Sequence, residues 1–215
     1  MSKTIKVDVW SDVACPWCYI GKRKLENAIQ EFEAKGGSVE VEYHSYLLNP
    51  EMPVDYEGSQ KDYLAAHKGL PLVQVESMSD RVKRIASDVG LRYDFENQIM
   101  TNTILANQLI HFAKSKGKQA EMKERLMAAH FVEARHVGKI DVLSDLAAEI
   151  GLDRQEAKDA LESEKYLGDF QGDIAQAREY GITGVPFFVL QGRYGISGAQ
   201  ESATFLNAFE QISAS

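Results

Sequence analysis

Strand patterns occur at the two ends of this chain, and this distribution constrains the fold more than any other feature. Apolar and polar residues alternate over residues 5–9 and again over 39–43, as in strands that expose one face. Residues 187–190 form a compact apolar run, and Gln191-Gly192 behind it can form a two-residue hairpin turn into a further strand. Between the ends, from about residue 60 to 165, the apolar spacing is almost entirely helical.

Glycines and capping residues place the boundaries of the other elements. A first helix ends at Gly36-Gly37, and a last helix turns Phe205 and Phe209 inward. The alternation over residues 39–43 leaves one polar face, which predicts an edge strand. The block between the two ends contains helices predicted over the following ranges: Ser79 or Asp80 to Gly90, 101–116, 119–135, Asp141 to Gly151, and from Asp153 onwards.

These patterns divide the chain into two structural units. A chain of 215 residues is long enough for one large domain or two smaller ones. If the strands at both ends form one sheet, the helical block is an insertion into the domain that carries the sheet. We therefore expect residues 1–55 and 166–215 to form one domain and residues 56–165 to form an inserted helical domain.

The two cysteines of the chain stand where the first strand gives way to the first helix. Cys15-Pro16-Trp17-Cys18 places them three residues apart, so both sulfurs lie on one helix face. This arrangement is typical of thiol–disulfide exchange, because the pair closes or opens a bond without large backbone movement. Unpaired N–H groups and the helix dipole favour a thiolate at a helix N-terminus. We therefore expect Cys15 to have a lowered pKa and to be the attacking thiol.

The remaining residues of the motif fit the same chemistry. Pro16 falls near the first helical position, where its missing N–H costs nothing. Trp17 can pack as an apolar lip beside the sulfur, and Cys18, one turn further in, is expected to be more buried and to act as the resolving thiol. Asp12 has two interpretations: a proton acceptor that works through water, or a residue that serves as an N-cap or in a turn.

Other uses of a cysteine pair fit this sequence less well. A structural disulfide across two residues closes almost no loop and stabilises little. A zinc site lacks a second cysteine pair, and the five histidines have no ligand spacing near the motif, so no metal site is predicted. Covalent haem attachment needs a histidine after the second cysteine, where this chain has Tyr19.

Charge and hydropathy exclude several classes of partner. The formal net charge of −8 disfavours binding to nucleic acid or anionic lipid. The basic clusters Lys22-Arg23-Lys24 and Arg81-Lys83-Arg84 fall in helical patterns and are expected to be solvated faces. No apolar run is long enough to span a membrane. Residues 1–8 lack the apolar core of a secretory signal, so we expect a cytoplasmic protein whose cysteines rest mostly reduced.

In combination, these motifs resemble a known family. The strand and helix order, the Cys-x-x-Cys at the first helix and the helical insertion are similar to the DsbA-like branch of the thioredoxin superfamily. Three segments resemble its FrnE subgroup: Ser11–Lys22, Gly184–Phe188 and Ile196–Gln200. The resemblance covers essentially the whole chain. It implies an α/β protein with a thioredoxin fold and a large inserted all-helical domain.

The resemblance also implies roles for individual residues. Cys15 attacks and Cys18 resolves, while Pro186 is a cis proline that faces the disulfide across a shallow groove. Substrate would contact Pro16, Trp17, Val185 and Pro186, and the backbone of Val185 would pair with an extended substrate strand.

The function implied is a thiol–disulfide oxidoreductase of the reductase or isomerase type. Its substrates would be disulfide-bearing proteins or small thiols, with no bound cofactor and with glutathione or another thiol as a possible electron donor. Two alternatives stay open. One is a glutathione-dependent isomerase or transferase of the kappa or hydroxychromene-carboxylate type, although these typically have serine at position 15. The other is a non-catalytic, chaperone-like binding module. The sequence leaves the oligomeric state open.

Overall fold

Residues from both ends of the chain build a single sheet. The computed structural model describes residues 4–214, so the first three residues of the segment considered for a secretory signal lie outside the described part. Within it, four strands pair in the order β2-β1-β3-β4. Their bounds are β1 Ile5–Ser11, β2 Val39–Ser45, β3 Phe187–Leu190 and β4 Tyr194–Ser197.

Strand β1 lies in the middle of this sheet and joins the two ends of the chain. It runs parallel to β2, with Ile5 opposite Val39, and antiparallel to β3, with Val9 opposite Phe188. A parallel pair needs a crossover, and the first helix supplies it. The prediction of one shared sheet is therefore confirmed, as is the prediction that the second strand is an edge.

Most of the chain between β2 and β3 is helical. The first helix, α1, follows β1 directly, and a last helix closes the chain. The helices of the described residues are α1 Pro16–Ala34, α2 Gln60–Lys68, α3 Leu72–Asp88, α4 Ile104–Ser115, α5 Gln119–Phe131, α6 Ile140–Glu149, α7 Arg154–Glu162, α8 Leu167–Glu179 and α9 Ser202–Ser213. Among these helices, none is both long and apolar enough to cross a bilayer.

Two apolar cores follow from this layout. One face of the sheet packs on α1 and α9 through Val7, Val9, Leu25, Phe188 and Phe205, all of which are almost fully buried. The helical block has a core of its own, built from α4, α5, α6 and α7. These observations show the α/β thioredoxin fold with an inserted helical region, because the sheet and the helical block bury separate apolar surfaces.

Two local predictions differ from the structure. Helix α3 begins at Leu72, immediately after Pro71, rather than at Ser79 or Asp80. Those two residues are common helix caps, but here Ser79 is a buried residue in the middle of the helix. The turn between β3 and β4 is also longer than expected, because Leu190 pairs with Tyr194 and leaves three loop residues.

A buried histidine in the helical block predicts that the fold is sensitive to acid. His130 is 1% exposed; its Nε2 atom accepts a hydrogen bond from the Gln98 amide at 2.8 Å, and its Nδ1 atom has no partner among the described residues. Burial, together with the charge of His136, lowers the pKa of His130 from 6.5 to about 4. The folded state therefore holds this imidazole neutral, whereas the unfolded chain protonates it below pH 6.5.

Above pH 6.5 His130 is neutral in both states, and we expect it to cause no loss in the free energy of unfolding. As the pH drops from 6.5 to 4, the free energy of unfolding should fall. The loss is about 3 kcal/mol, because one pKa unit corresponds to about 1.4 kcal/mol. Urea unfolding at several pH values measures it. His130→Gln, which does not titrate, should flatten the curve over that interval. An equally steep curve in this variant would assign the acid sensitivity to other groups.

Candidate active site

The cysteine motif lies at the junction of β1 and α1, as the sequence predicts. Cys15 is the N-cap residue of α1 and Pro16 takes the first helical position. A turn precedes the helix, in which the Cys15 N–H donates to the Asp12 carbonyl at 3.2 Å. Both cysteines carry free thiols. This geometry places Cys15 where a helix N-terminus favours negative charge.

Residues of the helical block cover the sulfurs. Cys15 is 4% exposed and Cys18 is 2% exposed. They share an apolar cluster with residues of α1, α3, α5 and the segment after α3: Tyr19, Ile20, Ala86, Leu91, Tyr93, Phe95, Met127 and Phe131. The Tyr93 hydroxyl donates to the Pro16 carbonyl at 2.7 Å and fixes this cover to the motif. Trp17, by contrast, is 37% exposed and is not part of this cluster.

The segment before β3 completes the site on its other side. The Cys15 Sγ atom lies 3.5 Å from the Val185 carbonyl oxygen, to which its thiol can donate. The Val185–Pro186 peptide bond is cis. Pro186 is buried, whereas Val185 and Pro16 are partly exposed. The structure thus brings together the residues that the sequence predicts for the site, with Trp17 at its edge.

A glycine of α1 allows the helix to approach this segment. A Cβ atom on Gly21 would lie 3.0 Å from Cγ of Pro186 and 3.3 Å from the Phe188 ring. We expect Gly21→Ala to lower the free energy of unfolding by about 1–3 kcal/mol, because an added methyl group overpacks a closed contact. Denaturant unfolding measures the change.

Gly172 provides the matched control for this substitution. It lies inside α8, where an added Cβ meets no atom within 4 Å. Gly172→Ala should therefore raise the free energy of unfolding by about 0.5–1 kcal/mol, since alanine loses less backbone entropy than glycine in a helix. Two changes of the same sign would show that helix propensity, rather than the contact with Pro186, decides the effect at Gly21.

The two thiols titrate as a pair. Burial raises the pKa of Cys18, but the hydrogen bond from the Cys15 thiol, the positive charge of Lys123 and the Ser11 hydroxyl together lower it below the ordinary value. The hydrogen bond to Cys18 raises the pKa of Cys15 well above its ordinary value, and burial and the charges of Cys18 and Asp12 add to this. The first proton therefore leaves the pair more readily than it leaves an isolated thiol, and the second leaves far less readily.

The direction at Cys15 differs from the expectation of a lowered pKa, because the two thiols ionise as one pair. The helix N-terminus acts in the expected direction, since the Cys18 N–H lowers the pKa of Cys15. The hydrogen bond between the two thiols outweighs this effect. The half-ionised pair carries one negative charge, which either sulfur can hold as the remaining proton moves between them.

Asp12 is a structural residue of the turn rather than a group facing the sulfurs. Its carboxylate is 1% exposed and accepts hydrogen bonds from the Ala14 and Leu48 N–H groups, the Thr103 hydroxyl and the Asn107 amide, at 3.2, 2.9, 2.7 and 3.3 Å. These donors come from the turn, the segment after β2 and the start of α4. The interpretation of Asp12 as a turn residue therefore agrees with the geometry, whereas the N-cap position of α1 belongs to Cys15.

One basic cluster expected to be solvated is instead buried and ion-paired. Lys22 is 4% exposed and contacts Glu26 at 2.5 Å and Glu124 at 2.6 Å. Arg23 also pairs with Glu124, and the Tyr19 hydroxyl donates to the same carboxylate at 2.5 Å. These contacts fasten α1 to α5. The prediction was wrong because helical periodicity does not show which acidic residue a distant helix presents.

Two residues that act on the site were not found from the sequence. Lys123 in α5 is 1% exposed, and its Nζ atom donates to the Ser11 carbonyl at 3.2 Å. Tyr93 anchors the cover described above. The sequence did contain one indication of Lys123: its spacing places it on the same face of α5 as Met127 and His130, which are both buried. A lysine on a buried helix face is rare unless it has a partner.

A possible metal-ligand cluster lies elsewhere, on β1 and β2. Ligand atoms of Asp8, Glu42 and His44 lie within 4.8 Å of one another. Both nitrogens of His44 already contact carboxylates, Asp173 at 2.8 Å and Asp8 at 3.0 Å, and Lys114 pairs with Glu42. These contacts raise the pKa of His44 to about 9 against the effect of burial, so the cluster is an ion-pair network around a protonated imidazole.

Comparison with known proteins agrees with this geometry. The chain is 32% identical over 216 residues to the uncharacterized protein YwbO of Bacillus subtilis, covering 95% of this chain and 96% of the relative. A crystal structure of a probable DsbA oxidoreductase from Streptomyces coelicolor is 33% identical, with a TM-score of 0.90 over 96% of this chain and 89% of that one. The cytosolic disulfide reductase DsbM of Pseudomonas aeruginosa shares the fold at 22% identity, with a TM-score of 0.64 over 97% and 95% of the two chains.

A further match concerns the chain as a whole. Residues 6–210 match the DSBA-like thioredoxin domain. This range contains strands β2 to β4, all of β1 except Ile5, the cysteine pair and the cis proline segment. The sheet order, the helical insertion and the Cys15–Cys18 pair at the start of α1 agree with that match. The chain therefore belongs to the DSBA-like thioredoxin domain family.

Proposed function

We propose that this protein is a cytoplasmic thiol–disulfide oxidoreductase that works in the direction of reduction or isomerisation. Cys15 attacks the substrate disulfide, and Cys18 resolves the mixed disulfide. One observation carries the proposal: the free thiol of Cys15 lies at the N-terminus of α1, with its Sγ atom 3.5 Å from the Val185 carbonyl oxygen and the free thiol of Cys18 one turn further along the helix. A chain of 215 residues with its own apolar cores does not depend on a disulfide between such close residues for its stability, so a structural role does not explain this pair.

The exchange proceeds in two balanced steps. In the first, the shared proton moves to Cys18, and the Cys15 thiolate attacks one sulfur of the substrate disulfide, which releases the other sulfur as a thiolate. In the second, Cys18 loses its proton and attacks Sγ of Cys15, which releases the second substrate thiolate and leaves a Cys15–Cys18 disulfide. Two electrons pass from the protein to the substrate. The one proton of the half-ionised pair ends on one released thiolate, and the other released thiolate takes its proton from solvent.

The surface around Cys15 supports contact with an extended disulfide-bearing chain. Trp17 is exposed, while Pro16 and Val185 are partly exposed beside the sulfur. Pro186, which follows Val185 through the cis peptide bond, is buried. We propose that substrate lies across Pro16, Trp17 and Val185, with a backbone hydrogen bond at Val185. Disulfide-bearing proteins and small disulfides both fit this surface.

The way the chain uses cysteine supports the proposed direction and compartment. Its only two cysteines are the site pair, so no disulfide supports the fold, as is usual for proteins of reducing compartments. We propose glutathione or another small thiol as the electron donor that restores the dithiol. The fold is shared with the cytosolic reductase DsbM, which has also been solved with glutathione.

Turnover of a protein disulfide tests this function. The full chain, mixed with insulin and excess reduced glutathione, should reduce insulin disulfides many times per molecule of enzyme, and a small disulfide can replace insulin in a parallel assay. Failure with glutathione, dithiothreitol and reduced thioredoxin alike would overturn the proposal. Conjugation of glutathione to an electrophile without any disulfide turnover would instead favour the transferase alternative, and retained biological activity without either cysteine would favour the binding module.

A further inference from the structure

A buried tryptophan lies at the centre of the sheet face that packs against α8. Trp10 of β1 is 1% exposed, and because side chains alternate along a strand it lies on the opposite face from Val9. In the sheet it stands beside His44 of β2 and Phe187 of β3. The His44 ring stacks on the indole, with ring centroids 4.4 Å apart and an angle of 15° between the planes. Trp10 is therefore joined to the strands on both sides of β1.

Helix α8 is held on this face by a buried carboxylate, Asp173. One of its oxygens accepts a hydrogen bond from the Ser45 N–H at 2.6 Å and lies 3.0 Å from Nε2 of His111. The other oxygen lies 2.8 Å from Nδ1 of His44. The backbone carbonyl of Asp173 accepts a hydrogen bond from Nε1 of Trp10 at 3.1 Å. Residues of β1, β2 and α4 thus fix one residue of α8 on several sides.

The histidine of this pair carries a positive charge. Nε2 of His44 lies 3.0 Å from Asp8 and 3.9 Å from Glu42, which in turn pairs with Lys114 of α4. Burial alone would lower the pKa of His44, but the hydrogen bonds to Asp173 and Asp8 and the charges of both raise it to about 9. Only 11% of each side chain of the His44–Asp173 pair is exposed. Removal of either partner would leave a poorly solvated charge unpaired, so the pair is a strong local constraint.

The segment that carries the candidate substrate contact packs on the same tryptophan. Residues 180–186 join α8 to β3. Ile182 belongs to the apolar cluster around Trp10, and Val185 packs against this cluster. The Val185 carbonyl oxygen lies 3.5 Å from Sγ of Cys15. A continuous series of contacts therefore runs from the ion pair, through the indole, to the residue beside the reactive sulfur.

We propose that the His44–Asp173 ion pair positions Val185 for contact with an extended substrate chain. Both members of the pair are positioning residues, because they act through Trp10 and the segment before β3 rather than on the sulfurs. The inference rests on the proposed function and deepens it. Reduction of a polypeptide disulfide depends on the pair, since the chain around the disulfide pairs with Val185. Reduction of a small disulfide, which has no chain to bind there, does not depend on it.

Hydrogen exchange of the full chain, followed by NMR, tests the positioning without any turnover. His44→Phe keeps an aromatic ring against Trp10 and removes the charge and its hydrogen bonds. The N–H groups of Gly181 and Ile182 donate to carbonyl groups at the end of α8, at 3.0 and 2.8 Å. We expect these two amides to exchange at least about tenfold faster in the variant, because a hydrogen bond between charged groups is lost. The amides of α5 should exchange as in the wild type.

Kinetics with two disulfides test the consequence for substrate binding. In His44→Phe the KM for insulin should rise by about fivefold, since a backbone hydrogen bond to the substrate is weakened. The kcat/KM for hydroxyethyl disulfide should change by less than about twofold. His136→Phe is the matched control, because it breaks another contact between a histidine and an aspartate, with Asp55 at 3.2 Å. It should alter neither the exchange of the two amides nor the two kinetic quantities.

A second variant keeps the proposal falsifiable if His44→Phe folds poorly. Asp173→Asn keeps the shape of the side chain and should change the exchange and the KM in the same direction. Unchanged exchange of Gly181 and Ile182 in a folded variant of the pair would overturn its role. An equal loss of turnover per folded molecule with insulin and with the small disulfide would overturn it too, because a general effect on packing acts on both. A wild type that reduces neither disulfide would overturn the proposed function, and the exchange measurement would still decide whether the pair holds the segment.

Discussion

Cys15→Ser is expected to abolish disulfide reduction, with turnover falling by about a thousandfold or more, because the residue that forms the covalent intermediate is lost. Cys18→Ser should lower turnover to a similar degree but with a different product. Its Cys15 thiol can still attack, and without a resolving thiol the mixed disulfide with substrate accumulates. Steady-state insulin reduction measures the first effect, and intact-protein mass spectrometry measures the second.

The two serine variants act as matched controls for each other. Both change one sulfur to oxygen at nearly fully buried positions, so any general effect on packing is shared. Mixed disulfide in Cys18→Ser and none in Cys15→Ser would confirm the proposed order of attack. The order would be contradicted if Cys15→Ser formed a mixed disulfide on Cys18 in a yield similar to that of Cys18→Ser. Cys18 would then be able to attack the substrate itself.

Asp12→Ala is expected to cause the largest loss of stability among single changes near the site, at least about 3 kcal/mol in the free energy of unfolding. Its carboxylate accepts four hydrogen bonds in a buried position, and removing it leaves the Leu48 and Ala14 N–H groups without partners. Denaturant unfolding measures the change. Asp88→Ala, at an exposed aspartate of α3, should alter the same quantity by less than about 0.5 kcal/mol.

The turnover of Asp12→Ala and Asp12→Asn separates the two interpretations of Asp12. If Asp12 is a turn residue, turnover per folded molecule should fall far less than stability. If it were a proton acceptor for the sulfurs, Asp12→Asn would remove most of the turnover while the protein stayed folded. Measuring turnover under conditions where each variant is folded distinguishes these results.

The fold could be predicted because the residues that define each strand and helix lie close together in the sequence. Alternating residues in β1 and β2, a compact apolar run in β3 and the helical spacing between them place the elements along the chain. The shared sheet follows from the strands alone, since neither end has enough strands to close a core without the other. The site was found for the same reason: the cysteine pair and Pro16 act through their positions in one turn of α1.

The parts that could not be predicted depend on contacts between distant segments. Cys15 was expected to have a lowered pKa, but the hydrogen bond to Cys18 raises it. Lys123, which lies in α5 and 105 residues after Cys18 in the chain, lowers the pKa of Cys18 instead. Lys22 was expected to be solvated, but Glu124 of the distant helix α5 pairs with it. The start of α3 was misplaced because capping residues also occur inside helices.

The reversible oxidation of the cysteine pair tests the central claim most directly. The full chain is brought to equilibrium in buffers of increasing glutathione disulfide, the thiols are alkylated in acid, and the protein mass is measured. We predict a single two-electron transition in which both thiols disappear together as the Cys15–Cys18 disulfide forms, and which reverses when reduced glutathione is restored. Two thiols that remain free throughout, or a stable glutathione adduct on one cysteine with the other still free, would contradict it.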